Sequence, residues 1–221
     1  CDTTNLNFIK KIIEKSQTKK LDIGYKFGLE FFNSKKGRNF IYKLKDKKIW
    51  LDLKLFDIPN TVYSSIIALK DLNNLKYLTV HASGGLEMMI AAKKAAKKIN
   101  KKIKILGVTI LTSFSEKSLK KIGHTRSIKK IVKLQAKLIR SAGLDGIVCF
   151  GHEAKIIKQT FKNFEIITPG IRFDGDKKQD QKRIMSPKQA FKNGATAIVI
   201  GRSITKGNIE NNLQKLIKLL N

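Results

Sequence analysis

The chain has 221 residues, of which 42% are hydrophobic, and this length and composition are typical of one well-buried globular domain. No apolar run approaches the roughly 18 residues that span a membrane. No linker rich in Pro, Gly or Ser divides residues 1–221, so we expect a single domain and no membrane partner. The formal net charge is +29, but only six of the 46 basic residues are Arg, and the lysines are spread in pairs along amphipathic segments. We therefore expect weak, salt-sensitive adhesion to polyanions and no specific nucleic-acid partner.

Seven short runs rich in β-branched residues alternate with longer lysine-rich segments of helical periodicity. The predicted strands are residues 21–26, 49–53, 77–80, 103–110, 146–150, 164–168 and 197–200. The predicted helices are residues 5–15, about 35–44, 59–72, 85–99, 127–141, 152–161, 186–192 and 208–220. Strand followed by helix, repeated along one domain, predicts an α/β fold of the (β/α)8 TIM-barrel type, with a truncated first strand that ends at Cys1 and Asp2. An open, doubly wound sheet is the alternative, but no Gly-rich phosphate turn follows the first run.

Polar residues follow almost every predicted strand, and active sites of barrel folds lie at the carboxyl ends of their strands. These residues are Asp2, Lys26, Asp52 with Lys54 and Asp57, His81, Thr112 with Ser113, Cys149, Arg172, and Gly201 with Arg202. Taken alone, each has an ordinary structural explanation, such as a solvated lysine, a core histidine or a charge at a helix start. Together they predict a ring of cationic and acidic groups around one mouth of the barrel.

The densest group of charges is in the segment Asp-Leu-Lys-Leu-Phe-Asp-Ile-Pro-Asn-Thr, residues 52–61. Because residues two apart on a strand point to the same side, we expect Asp52 and Lys54 to project together, with Asp57 in the loop beyond. Asp-x-Lys-x-x-Asp by itself is also compatible with a solvated strand end before a helix that starts at Pro59. The ten residues as they stand resemble the catalytic segment of the orotidine 5'-phosphate decarboxylase family, which lies at the end of the third barrel strand.

Further blocks resemble the same family, in the family's order. Residues 25–31 resemble its second-strand segment, which carries a catalytic lysine, and residues 80–85 and 107–113 match its fourth and fifth strand ends. Residues 168–172, 180–183 and 199–205 match the segments that hold the substrate phosphate. One departure falls in the phosphate loop, where Gln179 replaces the glycine that the family usually has before Asp-Gln. The sequence therefore does not predict the backbone conformation of this loop.

The resemblance implies cofactor-independent decarboxylation of orotidine 5'-monophosphate (OMP) to uridine 5'-monophosphate (UMP) and CO2, the last step of de novo UMP (pyrimidine) biosynthesis. It implies no cofactor and no metal ion. Lys54 would be the proton donor in a catalytic array that it shares with Lys26, Asp52 and Asp57. The implied substrate-binding residues are Asp2, Lys26, Asp52, Ile58, Thr61, Thr112, Arg172, Gln181, Gly201 and Arg202.

The resemblance also assigns parts of the substrate and an assembly. Asp2 would bind the ribose, and Thr112 would contact the pyrimidine. The implied assembly is a homodimer with shared active sites, in which Asp57, Ile58 and Thr61 of each chain reach into the partner's site. The residues assigned to the phosphate are Arg172, Gln181, Gly201 and Arg202, with Gln181 bridging phosphate and base.

Two other functions stay open at this point. Magnesium-dependent keto-sugar phosphate decarboxylases and aldolases share Asp-x-Lys-x-x-Asp, but they lack the Ile-Pro-Asn-Thr continuation and the Asp-Gln phosphate loop. The alternative from a different class is a basic nucleic-acid-binding protein. The two cysteines, Cys1 and Cys149, are too few for a disulfide framework and lack the spacing of a zinc site, so we expect a reducing, cytoplasmic location.

Overall fold

The computed structural model describes residues 1–161, 163–176 and 184–221. Its seven strands pair in chain order into one parallel sheet. The predicted α/β barrel-type fold is confirmed, in the form of a curled half-barrel sheet surrounded by helices. The strands are β1 (Gly24–Phe27), β2 (Lys48–Leu55), β3 (Leu75–His81), β4 (Lys104–Val108), β5 (Gly146–Val148), β6 (Glu165–Ile171) and β7 (Ala197–Ile200).

Helices connect these strands, and local signals in the sequence fix where several of them begin. Asn5, Ser127 and Asn208 precede helices and accept N–H groups of the first turn, as helix caps do. Pro59 stands at the start of another, where its missing N–H costs nothing. The helices in the described residues are α1 (Leu6–Lys15), α2 (Leu29–Phe32), α3 (Gly37–Lys43), α4 (Pro59–Ile67), α5 (Gly85–Ile99), α6 (Glu116–Lys121), α7 (Ile128–Ser141), α8 (Gly151–Thr160), α9 (Pro187–Lys192), α10 (Arg202–Thr205) and α11 (Ile209–Leu220).

Apolar side chains pack on both faces of the sheet, as is usual where helices cover parallel strands. Alternation along β2 shows the division, because Ile49 and Leu51 belong to the core between sheet and helices, whereas Trp50 belongs to a separate cluster on the inner face. Asp52 follows Trp50 on this inner face. The sequence of β2 therefore places a carboxylate at the carboxyl end of the strand, directly beyond the apolar cluster of the inner face. Other members of the inner cluster are Leu106, Val108, Val148 and Ile167.

The predicted and observed elements differ by a few residues at several ends. The helix predicted over residues 59–72 ends at Ile67, because the N–H groups of Leu69 and Leu72 bond to carbonyls three residues back rather than four. Both leucines stay buried, so the apolar periodicity continues through this tighter turn and makes the helix look longer. The short helices α2, α6 and α10 are not predicted, because four to six residues show little helical period. Of the described helices this short, only α9 is predicted.

The first residue of the chain bonds to β1, one of the two outer strands of the sheet. The Cys1 ammonium donates to the Lys26 carbonyl of β1 at 2.9 Å. Cys1 also packs against a small buried cluster that includes Ile12 and Ile204, and Ile198 and Ile200 of β7 pack against the same cluster. Cys1 and Asp2 belong to no strand. The first strand predicted to end here is not formed in the described residues, where Cys1 contributes one hydrogen bond to β1.

Candidate active site

Two lysines and one aspartate meet at the carboxyl end of the inner face. Lys26 Nζ lies 3.0 Å from Asp52 Oδ2, and Lys54 Nζ lies 2.9 Å from the same oxygen. The Asp52 side chain is only 10% exposed, whereas the Lys26 and Lys54 side chains are 25% and 34% exposed. The carboxylate is therefore enclosed, whereas both lysine side chains are partly exposed at the mouth. The structure brings together three of the four charged residues that the sequence predicts as the array.

The backbone of β2 departs from regular geometry at Lys54. Between two regular register pairs, β2 runs through three residues while β3 has only Thr79. Lys54 takes up part of this excess with a φ of +48°, a left-handed conformation that costs a residue with a Cβ roughly 1–2 kcal/mol. The Thr79 hydroxyl accepts the Lys54 N–H at 2.9 Å, so the N–H that leaves the regular ladder is still bonded.

The neighbours of Asp52 keep it ionised. Burial by itself raises the pKa of the Asp52 carboxyl, but the charges and hydrogen bonds of Lys26 and Lys54 outweigh burial and bring this pKa below its ordinary value. Thr79, which is fully buried, donates its hydroxyl to Asp52 Oδ1 at 3.0 Å. Both carboxylate oxygens are thus hydrogen-bonded, and the array carries two positive charges for one negative charge.

The loop after β2 is exposed. The Asp57 carboxylate accepts the Ile58 N–H at 2.7 Å, and in the described part of the chain it forms no ion pair with Lys54. Phe56 and Ile58 expose 64% and 66% of their surface, which is a large amount for two apolar residues so close together. Thr61, in the first turn of α4, is exposed as well. Within one chain, the predicted fourth member of the array therefore stands apart from the other three.

The ends of β3 and β4 contribute His81 and Thr112 to the same edge of the sheet. The His81 ring stacks on Phe56 with 5.7 Å between centroids, and its Nδ1 accepts the Ser83 N–H at 3.2 Å. Burial, and then the positive charge of Lys54, lower the pKa of His81, so the ring is neutral near pH 7. These contacts fit a structural histidine. Thr112 is half-buried in the turn that follows β4.

Asp2 lies beside the turn from β1 into α2. Its Oδ1 accepts the Phe31 N–H at 3.1 Å, within the first turn of α2. Gly28 permits this approach, because a Cβ at position 28 would lie 2.1 Å from Asp2 Oδ2. Asp2 is exposed and follows Cys1, which bonds to the Lys26 carbonyl. The predicted ribose-binding carboxylate is therefore at the mouth, with one oxygen engaged in capping a helix.

The segments predicted to hold the phosphate follow β6 and β7. Gly201 precedes α10 in open space, with nothing within 4 Å of where a Cβ would stand, and Arg202 begins the helix on the exposed surface. Arg172 is more enclosed, with 5% of its surface exposed, and its Nη1 donates to the Ile171 carbonyl at 2.8 Å. Gln181 lies outside the described residues, so its role stays a prediction.

A side-chain contact joins these two segments. Ser203 in α10 donates its hydroxyl to Asp176 Oδ2, and the same oxygen accepts the Phe173 N–H at 3.2 Å. Asp176 thereby ties the loop after β6 to the first turn of α10. The sequence does not predict this contact, because Asp-Gly-Asp at residues 174–176 indicates only a turn.

A family model matches nearly the whole chain. It is that of the orotidine 5'-phosphate decarboxylase / HUMPS family, and it matches residues 2–215. The chain belongs to this family. It is 43% identical to the orotidine 5'-phosphate decarboxylase of Wolbachia sp. subsp. Brugia malayi (strain TRS), over 98% of this chain and 94% of the relative. It is 47% identical to the orotidine 5'-phosphate decarboxylase of Buchnera aphidicola subsp. Acyrthosiphon pisum (strain Tuc7), over 86% of this chain and 80% of the relative.

The fold agrees with that of a solved member of the orotidine 5'-phosphate decarboxylase family. The crystal structure of orotidine 5'-phosphate decarboxylase from Lactobacillus acidophilus superposes with a TM-score of 0.85 at 33% identity. The match covers 100% of this chain and 96% of that one. The predicted family and fold are thereby confirmed, and the resemblance inferred from residues 52–61 extends over the whole chain.

Within the described ranges of this family member, no helix is long and apolar enough to cross a membrane. In the same ranges, no three His, Cys, Asp or Glu side chains group into a metal site. The predictions that no cofactor and no metal ion take part stay predictions. Cys1 and Cys149 are both free thiols. Burial raises the pKa of the Cys149 thiol far above its usual range, so this cysteine is a poor nucleophile even though it follows β5 at the mouth.

Thr79 is the site residue that the sequence does not single out. It lies between Tyr77 and His81 on the same face of β3, because residues two apart share a face. The available signal was a threonine at an inner position of β3, flanked directly by the apolar residues Leu78 and Val80. Its importance depends on the register between β2 and β3, which the sequence does not show.

Proposed function

We propose that this family member catalyses the cofactor-independent decarboxylation of OMP to UMP and CO2, the last step of de novo pyrimidine biosynthesis. The observation that carries the proposal is the array of Lys26, Asp52 and Lys54, in which two ammonium groups lie within 3.0 Å of one carboxylate oxygen. The relatives named orotidine 5'-phosphate decarboxylase support the same reaction, because their similarity extends over most of the chain.

The reaction needs fixed charge, because OMP offers no electron sink. When the bond between C6 and the carboxylate breaks, its electron pair remains on C6 in the plane of the pyrimidine ring, where the π system of the ring cannot delocalise it. An ammonium group beside C6 stabilises this pair, and preorganised charge in a site shielded from water is usually the largest catalytic term. We assign this role to Lys54, which transfers a proton from Nζ to C6 while CO2 departs.

Asp52 and Lys26 prepare Lys54 for this role before substrate arrives. A lysine side chain is flexible, and the ion pair with Asp52 fixes its ammonium group in advance. Because the pKa of Asp52 is below its ordinary value, the carboxylate is ionised at neutral pH. Its negative charge would also lie near the substrate carboxylate, where the repulsion between the two disappears as CO2 leaves.

The far end of the mouth, beyond β6 and β7, is assigned to the phosphate. We assign the backbone N–H of Gly201 to a phosphate oxygen, since Gly201 is exposed and nothing lies within 4 Å of where its Cβ would stand. Arg202 beside it can form charge-assisted hydrogen bonds with the phosphate. Arg172, which is buried just after β6, adds positive charge. Binding energy from this remote dianion can be used to hold C6 against Lys54. The remaining assignments are Asp2 to the ribose, Thr112 to the pyrimidine and Gln181 to a bridge between phosphate and base.

The active form that we propose is a homodimer with shared sites. Phe56 and Ile58 are each about two thirds exposed, at 64% and 66%, and a second copy of the chain would remove this apolar surface from water. Asp57, which lies between them and does not pair with its own Lys54, would then reach the partner's array together with Ile58 and Thr61. This accounts for an acidic residue of the motif that stands apart in a single chain.

The nearest alternative is a magnesium-dependent keto-sugar phosphate decarboxylase or aldolase, which shares Asp-x-Lys-x-x-Asp. Two features favour OMP. The Ile-Pro-Asn-Thr continuation is intact at residues 58–61. In addition, Asp52 Oδ2 already accepts hydrogen bonds from two ammonium groups, with which a magnesium ion would have to compete. No observation favours a nucleic-acid-binding function from the different class.

The decisive experiment is an absorbance assay of purified protein with OMP in the presence of EDTA and without added metal or cofactor. We expect turnover to UMP at the same rate with and without the chelator. Lys54→Ala protein purified in the same way controls for contaminating host enzyme. A requirement for added Mg²⁺, or turnover of a keto-sugar phosphate in place of OMP, would overturn the proposal.

Two broader proposals accompany this function. Residues 1–221 form one barrel domain, which is supported by the single family match over residues 2–215. The enzyme acts in the cytoplasm, where two unpaired cysteines are compatible with a reducing environment.

A further inference from the structure

The hydroxyl of Thr79 makes two hydrogen bonds, and both lead into the charge array. It accepts the backbone N–H of Lys54 at 2.9 Å and donates to Asp52 Oδ1 at 3.0 Å. A hydroxyl has one proton to donate, so the order of donors is fixed from Lys54 through Thr79 to Asp52. The side chain is fully buried, and water therefore does not compete for either bond.

One bond satisfies a backbone group at the irregular part of β2, and the other satisfies a carboxylate oxygen of Asp52. Lys54 lies where β2 has more residues than β3, and its φ of +48° takes its N–H out of the ladder. Without the hydroxyl, this N–H would have no partner, and the left-handed backbone would lose a contact that maintains it. Asp52 Oδ2 already receives both ammonium groups, so Oδ1 depends on Thr79 for its hydrogen bond within the described residues.

We propose that Thr79 is a positioning residue, which sets the Asp52 carboxylate and the Lys54 backbone in one arrangement so that Lys54 Nζ is aimed at the reacting carbon. The inference rests on the proposed decarboxylation and adds to it a residue that acts only through Asp52 and Lys54. Both bonds come from Thr79 of β3, which pairs with β2 on either side of its irregular part. A misplacement of about 1 Å at a reacting group is enough to lower a rate roughly a hundredfold.

The test compares Thr79→Val, which removes the hydroxyl at nearly constant shape, with Thr79→Ser, which keeps it. In Thr79→Val, we expect kcat for OMP to fall by roughly ten- to a hundredfold, which corresponds to leaving buried polar groups without partners. KM should change by less than about threefold, because the phosphate and ribose contacts lie elsewhere in the mouth. Thr79→Ser should keep kcat within about threefold of the wild type.

Thr109→Val provides a matched control. Thr109 is also buried, just beyond β4, but its hydroxyl donates to the Val148 carbonyl at 3.2 Å, outside the array. This variant reports what the loss of a buried threonine hydroxyl does through stability alone. We expect its kcat to stay within about twofold of the wild type, since it shares no partner with the array. Thermal unfolding of every variant accompanies the kinetics.

Wild-type kcat in folded Thr79→Val protein would overturn the proposal. So would equal losses in Thr79→Val and Thr79→Ser, or a loss in Thr109→Val as large as that in Thr79→Val, because either result would point to folding instead of positioning. Should Thr79→Val be insoluble, Thr79→Cys keeps the size with only a weak donor, and its kcat must then lie below that of Thr79→Ser. Failure of wild-type protein to turn over OMP would instead remove the proposed function.

Discussion

Lys26 and Lys54 donate hydrogen bonds to the same oxygen, Oδ2 of Asp52, at 3.0 Å and 2.9 Å. Two ammonium groups that share one acceptor repel each other, so the arrangement depends on Asp52 staying ionised. The result is a surplus of positive charge, held in a fixed place by a single carboxylate. This surplus is available to the anionic carbon that forms when OMP loses CO2.

Replacement of Lys54 by alanine should stop chemistry and leave binding largely intact. The ammonium group acts on charge that exists mainly in the transition state, so we expect kcat to fall at least roughly a thousandfold, while affinity for UMP changes by less than about tenfold. Single-turnover decarboxylation and calorimetric titration with UMP measure the two effects. Lys20→Ala, an exposed lysine in the loop before β1, is the control. Near-normal turnover in Lys54→Ala would exclude this lysine as the proton donor.

Replacement of Asp52 by asparagine should change how stability depends on pH. The pKa of Asp52 is lower in the folded protein than its ordinary value of 3.8, so the ionised carboxylate stabilises the fold above that pH, and the stabilisation is lost as pH falls through the lowered pKa. At pH 7, we expect Asp52→Asn to have a free energy of unfolding about 2 kcal/mol below that of the wild type, because two ammonium groups lose their counter-ion.

Urea unfolding of wild-type and Asp52→Asn protein, from pH 7 down to the lowest pH at which both fold, checks this expectation. The difference in free energy of unfolding between the two proteins should be constant near neutrality and should narrow below about pH 4. If this difference in free energy of unfolding does not change with pH, the charge of Asp52 contributes nothing to stability.

Replacement of Arg202 by alanine should weaken the binding of phosphorylated ligands only. We expect KM for OMP to rise by roughly ten- to a hundredfold, since a charge-assisted contact to the phosphate is lost. UMP and uridine, compared as inhibitors, separate the phosphate contribution from the rest. Arg140→Ala removes the same side chain in the last turn of α7, where it lies over Phe164, and serves as the control. Equal losses for UMP and uridine would indicate misfolding.

The shared-site homodimer predicts that two inactive variants complement each other. Lys54→Ala and Asp57→Ala chains should each form inactive homodimers, but a mixed dimer has one site with both defects and one site with Lys54 and Asp57 intact. With equal amounts and random pairing, half of the dimers are mixed and each has one good site of two, so activity should recover to about a quarter of wild type.

The mixing experiment includes a check on subunit exchange, for example by pulling down one tagged variant and identifying the co-purified chain by mass spectrometry. As a control, two separate preparations of the same variant are mixed and treated in the same way. Their activity shows how much arises without complementation. No recovery after verified exchange would place Lys54 and Asp57 of one site in the same chain, and the shared-site model would be wrong.

Local pattern was sufficient to predict the seven strands and the pairing of Asp52 with Lys54. Residues two apart on a strand share a face, and the apolar run that ends at Leu51 placed both of them at a strand end. The approach of Lys26 also follows from pattern, because consecutive parallel strands of a barrel are neighbours. For these features, the information lies within a few residues of the site itself.

Features that depend on register, or on a second chain, could not be predicted in the same way. The role of Thr79 arises from a mismatch in length between β2 and β3, and periodicity within either strand does not show it. The contact between Asp176 and Ser203 joins residues far apart in sequence. The exposure of Asp57 in a single chain agrees with the predicted shared site but does not test it.

The left-handed backbone at Lys54 has a consequence for how this sequence can change. At a φ of +48°, glycine would relax the backbone by roughly 1 kcal/mol, whereas a β-branched residue would be strongly disfavoured. The backbone therefore favours glycine at the position where the proposed chemistry demands lysine. A Lys54→Gly protein is therefore expected to unfold at a higher urea concentration than Lys54→Ala, although both lack the proposed proton donor.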